Sequence, residues 1–484
     1  MSACRYPEHH GNAARGGGLG LLLLIVIALV TWKLRHAVLE ALFWAGVIAL
    51  VLVVAAAVLL AVRLARRHRK ASAPRTSIRP PTWLRHLPRA LWAAARWRHT
   101  VRNLGLAYAD KHHKGMVRHP AAVIHPSAHG LTARIRTVPG SGRAEFDQAA
   151  EHIANAWRVS RVAVSQPRPG RLIVRGLRHD PLLEVLGAAD IPPGRGLRHL
   201  YLGRDEHGTH RFADLANVPG ICVGGMPGAG KSTEITSWIA QLAPSPAVQF
   251  ALADGKNAGE FDDFADRAYV MAGDDLDEVV DLLERQHTLM TDRLASVRQL
   301  LGVKNAWHRG PTEAWPLAVT ILDECQSYLD LTAVKGDKQL EPKVRRCIFL
   351  TSSLIRRGRS VMMLTVPATQ KPTTDSLPSS IRDNCPVSLC FGVKTIDAAA
   401  ATLGTSIRDY PSYSPVTLAD PAYAGCCTVT LKSGTDPFTR LRGPYLTEDQ
   451  AAEVARASAH LCRDPRAVLP VVVPDDASTL VGSL

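Results

Sequence analysis

The alternation of apolar and polar positions indicates an α/β protein over most of the chain. Between residues 216 and 450, short β-rich apolar runs alternate with segments of helical periodicity, which is typical of a mostly parallel sheet covered by helices on both faces. The segment from Asp274 to Leu301 repeats apolar residues at helical spacing and predicts one long helix. The predicted strands are Ile221 to Val223, Val248 to Ala253, Leu317 to Leu322, Val361 to Pro367 and Val387 to Phe391.

Two smaller regions flank this one. Residues 145–215 combine a helical repeat, Phe146 to Trp157, with strand-like runs on either side of a turn, and predict a small α/β adaptor without a catalytic constellation. Residues 451–484 begin with a helix that we expect to end near Cys462 and continue as a loose tail.

Two long apolar stretches near the N-terminus, residues 16–32 and 41–62, have the length of membrane-spanning helices. Arg15 precedes the first stretch, and a basic cluster that starts at Arg63 follows the second. Because basic residues favour the cytoplasmic side, we expect a two-helix hairpin with both ends in the cytoplasm. Residues 1–70 would then anchor a multi-pass protein in the cell membrane, with the main body cytoplasmic. A signal peptide is the alternative for the first stretch, but no cleavage site of small residues follows it.

The net charge of +15 is concentrated in the N-terminal part of the chain. Residues 1–140 contain 21 Lys and Arg against 3 acidic residues, whereas the remainder contains 37 against 40. A basic excess often indicates nucleic-acid binding. Here it lies beside the predicted membrane anchor instead of in the region with the sheet.

Residues 71–144 form a basic, Trp- and Arg-rich juxtamembrane segment that we expect to be a linker. Within it, apolar residues are spaced for one helix face, with arginines between them. These apolar residues are Trp83, Leu84, Leu87, Leu91 and Trp92. An interfacial helix on anionic lipid is the first interpretation, a linker or oligomer contact the second, and DNA binding the third.

Residues 225–232, Gly-Met-Pro-Gly-Ala-Gly-Lys-Ser, have the spacing of a phosphate-binding loop. A strand is predicted before the loop and a helix after it, and this order argues against an ordinary surface turn. Glycines let backbone N–H groups curl around phosphates, and the helix start adds its positive dipole end. Lys231 would reach the β and γ phosphates of ATP, and Ser232 would hold Mg²⁺. The residues expected to bind the nucleotide are Gly225, Met226, Pro227, Gly228, Ala229, Gly230, Lys231, Ser232 and Thr233.

A second motif supplies carboxylates at the end of a predicted buried strand. Asp323 would hold Mg²⁺ through water, and Glu324 would orient and polarise the water that attacks the γ-phosphate. Two acids that cap a helix start are the alternative. Gln370 follows another apolar strand and could reach the γ-phosphate from the neighbouring strand end, although an ordinary polar loop residue is equally consistent with the pattern.

Several segments resemble, in the same order, the motifs of the FtsK/SpoIIIE DNA translocases. They are Leu202 to Asp205, Ala213 to Pro219, the loop at 225–232, Leu252 to Lys256, Asp323-Glu324, Arg357 to Arg359 and Ala368 to Pro372. The resemblance covers residues 200–445. It implies a RecA-like P-loop ATPase motor that assembles as a hexameric ring and pumps double-stranded DNA through its pore. A membrane hairpin before the motor is in keeping with it.

Within that family, the single motor and the residues around Gly225 and Asp323 look similar to the actinomycete plasmid-transfer branch of the TraB/TraSA type. Proteins of this branch move double-stranded DNA between mycelial cells. Lys371 departs from the family, which has Arg at this position. The resemblance also calls for a positive group that reaches the neighbouring subunit's γ-phosphate. Arg382 and Arg359 are the candidates, and a surface salt bridge is the alternative for Arg382.

The leading prediction is therefore a membrane-anchored, ATP-driven translocase of double-stranded DNA that forms homo-hexamers and acts in conjugative transfer of a plasmid or integrative element. Other transfer proteins of the same element are its expected partners. The alternatives are an FtsK-type translocase for chromosome segregation, a protein-export ATPase similar to the EccC components of type VII secretion, and a nucleotide-gated membrane scaffold without enzymatic activity.

Overall fold

The structure is a computed structural model of the 484-residue chain, and it describes residues 82–109, 116–431 and 437–469. The chain divides into two compact units, Met1–Arg79 and Pro80–Leu484, and every element described below belongs to the second. The predicted spanning stretches, residues 16–32 and 41–62, lie outside the described residues. Among the helices in the described part of the chain, none is long and apolar enough to span a membrane.

The described residues form helices and strands in an alternating order. The α-helices are α1 Leu87–Asn103, α2 Arg143–Gln148, α3 Ala150–Trp157, α4 Lys231–Leu242, α5 Leu276–Leu301, α6 Gln326–Leu329, α7 Leu340–Arg357, α8 Ser379–Arg382, α9 Ile396–Leu403 and α10 Glu448–Ser458. The strands are β1 Tyr108–Ala109, β2 Val117–Arg118, β3 Ala121–Pro126, β4 Gly130–Arg136, β5 Arg161–Arg168, β6 Arg171–Leu177, β7 Leu186–Gly187, β8 His199–Asp205, β9 His210–Asp214, β10 Ile221–Gly224, β11 Val248–Asp254, β12 Ala268–Ala272, β13 Leu317–Asp323, β14 Met363–Thr369, β15 Val387–Phe391, β16 Cys426–Thr430, β17 Thr439–Arg442 and β18 Pro444–Tyr445.

A 10-stranded sheet in the order β12-β11-β13-β14-β10-β15-β16-β17-β8-β9 forms the centre of the motor. The strands from β12 to β15 in this order run parallel. Every residue of β10, β11, β13, β14 and β15 is buried, because helices cover the sheet on both sides and leave no strand face to solvent. Side chains of α4, α5, α7 and α10 complete this core.

The prediction of a mostly parallel sheet holds only for one part of it, because β16, β17, β8 and β9 extend the sheet with antiparallel pairs. The predicted boundary between adaptor and motor near residue 215 is also wrong. Strands β8 and β9 belong to the motor sheet, since β8 pairs with β17 and buries Leu200 and Leu202 in the motor core.

The adaptor is a four-stranded antiparallel sheet, β3-β4-β6-β5, with α1, α2 and α3 packed against one face. Its core contains Trp97 of α1, Phe146 of α2, Trp157 of α3 and alternating residues of the strands, including Leu131. The prediction that residues 71–144 are a linker is therefore wrong for α1, β3 and β4. These elements bury apolar side chains in the same core as the helices that follow.

The adaptor contacts the motor through the segment between α9 and β16. Ser412 in this segment donates a hydrogen bond to Asp147 over 3.0 Å and accepts one from Arg161 at its carbonyl over 2.6 Å. The guanidinium of Arg143 lies 4.0 Å from the centre of the Tyr410 ring. Charge-assisted and cation–π contacts thus hold the two sheets of this unit together.

Candidate nucleotide site

The phosphate-binding loop connects the carboxyl end of β10 to the first turn of α4. Its glycines adopt backbone angles that other residues rarely do, with φ of 75° at Gly228 and 100° at Gly230. A Cβ atom on Gly230 would lie 2.6 Å from the backbone nitrogen of Gly425, so a larger residue does not fit there. Pro227 and Gly228 are exposed at the tip, and Ala229 is buried.

Backbone hydrogen bonds hold this loop on the edge of the sheet. The amide of Gly225 donates to the carbonyl of Thr369 over 3.2 Å, and the amide of Met226 donates to Gly392 over 2.9 Å. These bonds attach the loop to the ends of β14 and β15. The first amides of a helix have no partner within the helix, so those of Lys231, Ser232 and Thr233 are available to phosphate oxygens.

Lys231 forms ion pairs with both carboxylates of the second motif. Its ammonium contacts Asp323 directly and lies 3.2 Å from Oε1 of Glu324. All three side chains are buried. Burial lowers the pKa of Lys231, but the two carboxylates outweigh this effect and the net shift is upward. Burial raises the pKa of Asp323, and Lys231 offsets only part of that shift.

Glu324 has a strained backbone and a restrained side chain. Its φ of 45° lies in the left-handed region, which is uncommon for a residue other than glycine and is frequent at functional sites. Oε2 accepts hydrogen bonds from the side chain of Gln326 over 2.7 Å and from the amide of Gln370 over 3.1 Å. Oε1, in contrast, has no described partner besides the Lys231 ammonium. One carboxylate oxygen is thus fixed by two hydrogen bonds, and the other would become available to a water molecule once Lys231 turns to a phosphate.

Strand β14 lies between β10 and β13, so Gln370 follows the strand that separates the phosphate-binding loop from the carboxylates. Its backbone contacts Glu324, as described above. Its side chain lines a cavity of about 640 Å³ together with Met226 and Pro227 of the loop. The structure therefore brings Lys231, Asp323, Glu324 and Gln370 together.

The two candidate arginines lie in different places. Arg382 lines the same 640 Å³ cavity and pairs with Asp383 over 2.8 Å. Arg359 is exposed and precedes β14, at the edge of the sheet opposite the loop. Arg382 thus shares a cavity with Met226 and Pro227 of the phosphate-binding loop, and Arg359 does not line that cavity.

The residues of this site fit ATP and Mg²⁺. The open space around Gly228 and the unpaired helix amides form a cradle for an anion, and Oε1 of Glu324, which only Lys231 contacts, can accept from a water molecule once Lys231 binds phosphate. Among the described residues, no group of three or more His, Cys, Asp and Glu is arranged to hold a metal ion. A Mg²⁺ ion held by Ser232 and Asp323 would therefore complete its coordination with phosphate oxygens and water.

Sequence reasoning did not identify three contributors to the site. Asp254 ends β11 beside Asp323 and accepts hydrogen bonds from the amides of Lys256 over 3.1 Å and Ala258 over 2.9 Å, which shapes the neighbouring loop. The amide of Gly425 donates to Ala229 over 2.8 Å. The pairing of Asp254 with Asp323 and the bond between Gly425 and Ala229 join segments that are distant in sequence, so no local pattern indicates them.

The third contributor is Glu234, in the first turn of α4. It is buried without an ion pair in the described part of the chain, and its carboxylate accepts a hydrogen bond from Trp238 over 2.8 Å. Burial raises the pKa of Glu234 to about 8. Its position three residues after Lys231 could have identified it as a residue near the site. An acidic residue in the first turn of a helix, however, usually faces solvent and complements the helix dipole.

Comparisons with known proteins agree with this site. No protein-family model matches the chain. The DNA translocase FtsK of Haemophilus influenzae is 25% identical over 310 residues, which cover 57% of this chain and 54% of that protein. The chain is similar to proteins named FtsK DNA translocases. FtsK 2 of Ralstonia nicotianae is 26% identical over 320 residues, which cover 60% of this chain and 37% of that protein. The chain thus spans about half of these FtsK relatives or less.

Among solved structures, the pCW3 conjugation coupling protein TcpA, in its monomer form with ATPγS, has a TM-score of 0.51 at 18% identity and covers 76% of this chain and 99% of that one. The cytoplasmic domain of the type VII secretion ATPase EccC from Thermomonospora curvata has a TM-score of 0.43 at 19% identity, and the match covers 61% of this chain and 35% of that one. The TcpA similarity shows that the fold is shared. Together with the FtsK relatives and the site, it marks this chain as an ATPase of the P-loop class.

Proposed function

We propose that the chain is a membrane-anchored, ATP-driven translocase of double-stranded DNA that acts in conjugative transfer. The observation that carries the proposal is that the carboxyl ends of three neighbouring parallel strands bring the predicted site residues together. Strands β10, β14 and β13 bring Lys231, Gln370 and Glu324 to one edge of the sheet, in a chain related to proteins named DNA translocases.

Hydrolysis would begin when the loop amides and Lys231 bind the phosphates of ATP. Lys231 must then leave its ion pairs, which frees both carboxylates. Glu324 Oε1 accepts a hydrogen bond from the attacking water and orients it, while Gln326 and the amide of Gln370 hold Oε2 in place. Gln370, which lines a cavity with Met226 and Pro227 of the loop, would contact the γ-phosphate or this water through its side chain. Positioning of this kind is the main protein contribution to phosphoryl transfer.

A Mg²⁺ ion at Ser232 and Asp323 would neutralise charge on the β and γ phosphate oxygens. The position of Ser232 in the first turn of α4 and that of Asp323 beside Lys231 support this assignment. Asp254 supports the arrangement from the next strand, because it pairs in register with Asp323 and orders the loop that follows.

We infer double-stranded DNA as the substrate from the relatives, which are named DNA translocases. Residues 141–484 are slightly acidic, so the DNA contacts of the motor would come from a few loops in a ring. A homo-hexamer surrounding the duplex is the assembly that the sequence resemblance implies. In such a ring, Arg382, which shares a cavity with the phosphate-binding loop, would act on the nucleotide of its own chain, and the exposed Arg359 would approach that of a neighbour.

A role in conjugation is supported by the fold shared with TcpA, which is named a conjugation coupling protein. The TraB/TraSA-like residues around Gly225 and Asp323 favour an actinomycete plasmid or integrative element as the cargo, and other transfer proteins of that element as partners. The spanning stretches at 16–32 and 41–62 favour attachment to the cell membrane with the motor in the cytoplasm.

Duplex-stimulated ATP hydrolysis by the reconstituted full-length chain tests this function. We expect several-fold faster hydrolysis with duplex DNA, a stimulation that falls as salt rises, and no activity in Lys231→Ala. Lys304→Ala, which removes an exposed lysine far along the chain, serves as the matched control. Equal rates with and without DNA would contradict the proposal. Stimulation by an exported peptide instead of DNA would indicate protein export, and loading only at chromosomal sequences would indicate chromosome segregation.

A further inference from the structure

Helix α1 of the adaptor has apolar side chains on the face that does not contact its own domain. Ala90, Trp97 and Val101 point into the adaptor core. Leu87 and Leu91 of α1, and Leu84 in the turn of residues 82–86 that precedes it, lie outside this core and are exposed, with 64% of Leu91 accessible. We call these three residues, together with the exposed Trp83, the leucine stripe. The adaptor core does not need the stripe, because α1 already packs through its other face.

A cavity of about 380 Å³ is lined by other residues of α1 and of the turn that precedes it, and we call it the arginine cavity. It also reaches the end of α3, where Arg158 has a left-handed backbone conformation as the helix cap. The lining residues are Arg85, Pro88, Arg89, Trp92, Trp157, Arg158 and Arg178. In the part of the chain that the structure describes, none of these arginines forms an ion pair. Four arginines thus line this cavity, and no acidic residue lines it with them.

Buried polar atoms next to this cavity also have no partner. Trp157 is fully buried and lines the cavity, and its indole N–H donates no hydrogen bond. His86 is 4% exposed, and its Nδ1 has no partner either. Burial, followed by the charges of Arg178 and His179, lowers the pKa of His86, so that the histidine does not add to the positive charge. An unsatisfied buried donor is costly unless a ligand accepts from it.

We propose that the arginine cavity binds the phosphate of an anionic lipid headgroup while the leucine stripe enters the adjoining apolar layer. Guanidinium groups bind phosphate through paired N–H donors, and interfacial helices combine basic and apolar side chains in this way. A duplex backbone also supplies phosphates, but it offers no apolar layer for Leu84, Leu87 and Leu91. The stripe therefore favours a lipid surface over nucleic acid.

The proposal rests on the proposed membrane attachment and extends it, because it gives the adaptor a lipid contact of its own. Leu84 follows the second predicted spanning stretch, residues 41–62, by about 20 positions in the sequence. The adaptor, in turn, contacts the segment at Tyr410 and Ser412, which continues to Gly425 beside the phosphate-binding loop. A lipid-bound α1 would thereby hold the motor at the membrane surface.

Hydrogen exchange of the full-length chain in lipid nanodiscs tests the proposal, with discs of phosphatidylcholine alone or with added phosphatidylglycerol. We expect the segment 82–103 to exchange several-fold more slowly in the anionic discs. Each basic residue near an anionic surface strengthens binding about fivefold, so Arg85→Gln with Arg89→Gln should weaken the docking of α1 roughly 25-fold. Arg134→Gln with Arg136→Gln removes the same charge from the other face of the adaptor sheet and should leave the protection intact.

Three results would overturn the proposal. The first is equal protection in neutral and anionic discs, and the second is full protection in the variant that lacks Arg85 and Arg89. The third is protection in neutral discs on addition of duplex DNA or inorganic phosphate alone. Leu91→Gln checks the stripe: it should lower the protection in anionic discs without unfolding the adaptor, because Leu91 is exposed and not part of the core. Failure of the chain to enter discs at all would instead contradict the proposed membrane attachment.

Discussion

Replacing Lys231 with Ala should destabilise the chain in the absence of nucleotide, in addition to its effect on catalysis. The ammonium is the only cation in contact with Asp323 and Glu324 among the described residues, and both carboxylates are at least 96% buried at the side chain. Removing it leaves two buried like charges. Breaking a buried ion pair from one side costs about 3–5 kcal/mol, and we expect a loss in this range near neutral pH.

The loss should depend on pH in a defined direction. Lys231 contributes its stabilisation fully below its unfolded pKa, since its folded pKa is raised above that value. Without it, the folded pKa of Asp323, which burial already raises, moves further above the unfolded value of about 3.9. The folded variant then holds protons that the unfolded chain releases. The free energy of unfolding that Lys231→Ala loses relative to the wild type should therefore be small near pH 5 and grow towards pH 8.

Guanidinium unfolding of the full-length chain, followed by tryptophan fluorescence between pH 5 and 8, measures this effect. Lys304→Ala is the control, because an exposed lysine without a partner should change the free energy of unfolding by less than about 0.5 kcal/mol. Adding Asp323→Asn to Lys231→Ala should recover part of the loss. A Lys231→Ala variant as stable as wild type, or one whose deficit is the same at pH 5 and 8, would refute the buried-charge reasoning.

Variants at three places test other parts of the site. Burial raises the folded pKa of Glu234 from 4.5 to about 8, so the free energy of unfolding of the wild type should fall as pH rises across that window. In unfolding experiments, Glu234→Gln should remove this pH dependence and be roughly 3 kcal/mol more stable than the wild type at pH 7. Glu324→Ala and Glu324→Gly should both lose ATP hydrolysis. Because the backbone at Glu324 is left-handed, the Gly variant should be about 1 kcal/mol more stable than the Ala variant. Equal stabilities of the two variants would argue against strain at this residue. Gly230→Ala should destabilise the chain more than Gly228→Ala in thermal unfolding, since only the first new methyl meets Gly425.

Local patterns predicted the elements of the nucleotide site well. The strands that lead to the phosphate-binding loop and to Asp323 are continuous apolar runs, which is the pattern expected of buried parallel strands. The observed strand ends differ from the predicted ones by one or two residues, and α5 begins at Leu276 instead of Asp274. The position of β14 between β10 and β13 depends on long-range pairing, which no local pattern contains.

The adaptor shows why its limits could not be read from the sequence. The large apolar residues of α1, such as Leu87 and Leu91, dominate its periodic pattern, but they are exposed. Its buried face contains small residues such as Ala90 and Ala93, whose signal is weak. Similarly, the sequence of β8 has no feature that separates it from a strand of the adaptor, and only its pairing with β17 assigns it to the motor.

Displacement of a third strand from duplex DNA tests the central claim most directly. A triplex-forming oligonucleotide is placed at increasing distances along a linear duplex, and its release by the full-length chain is followed in time with ATP. The account predicts release that requires ATP hydrolysis, is absent in Lys231→Ala and Glu324→Gln, and shows a lag that grows with distance. Release without ATP, or a lag that does not change with the length of the duplex, would contradict movement along DNA driven by this site.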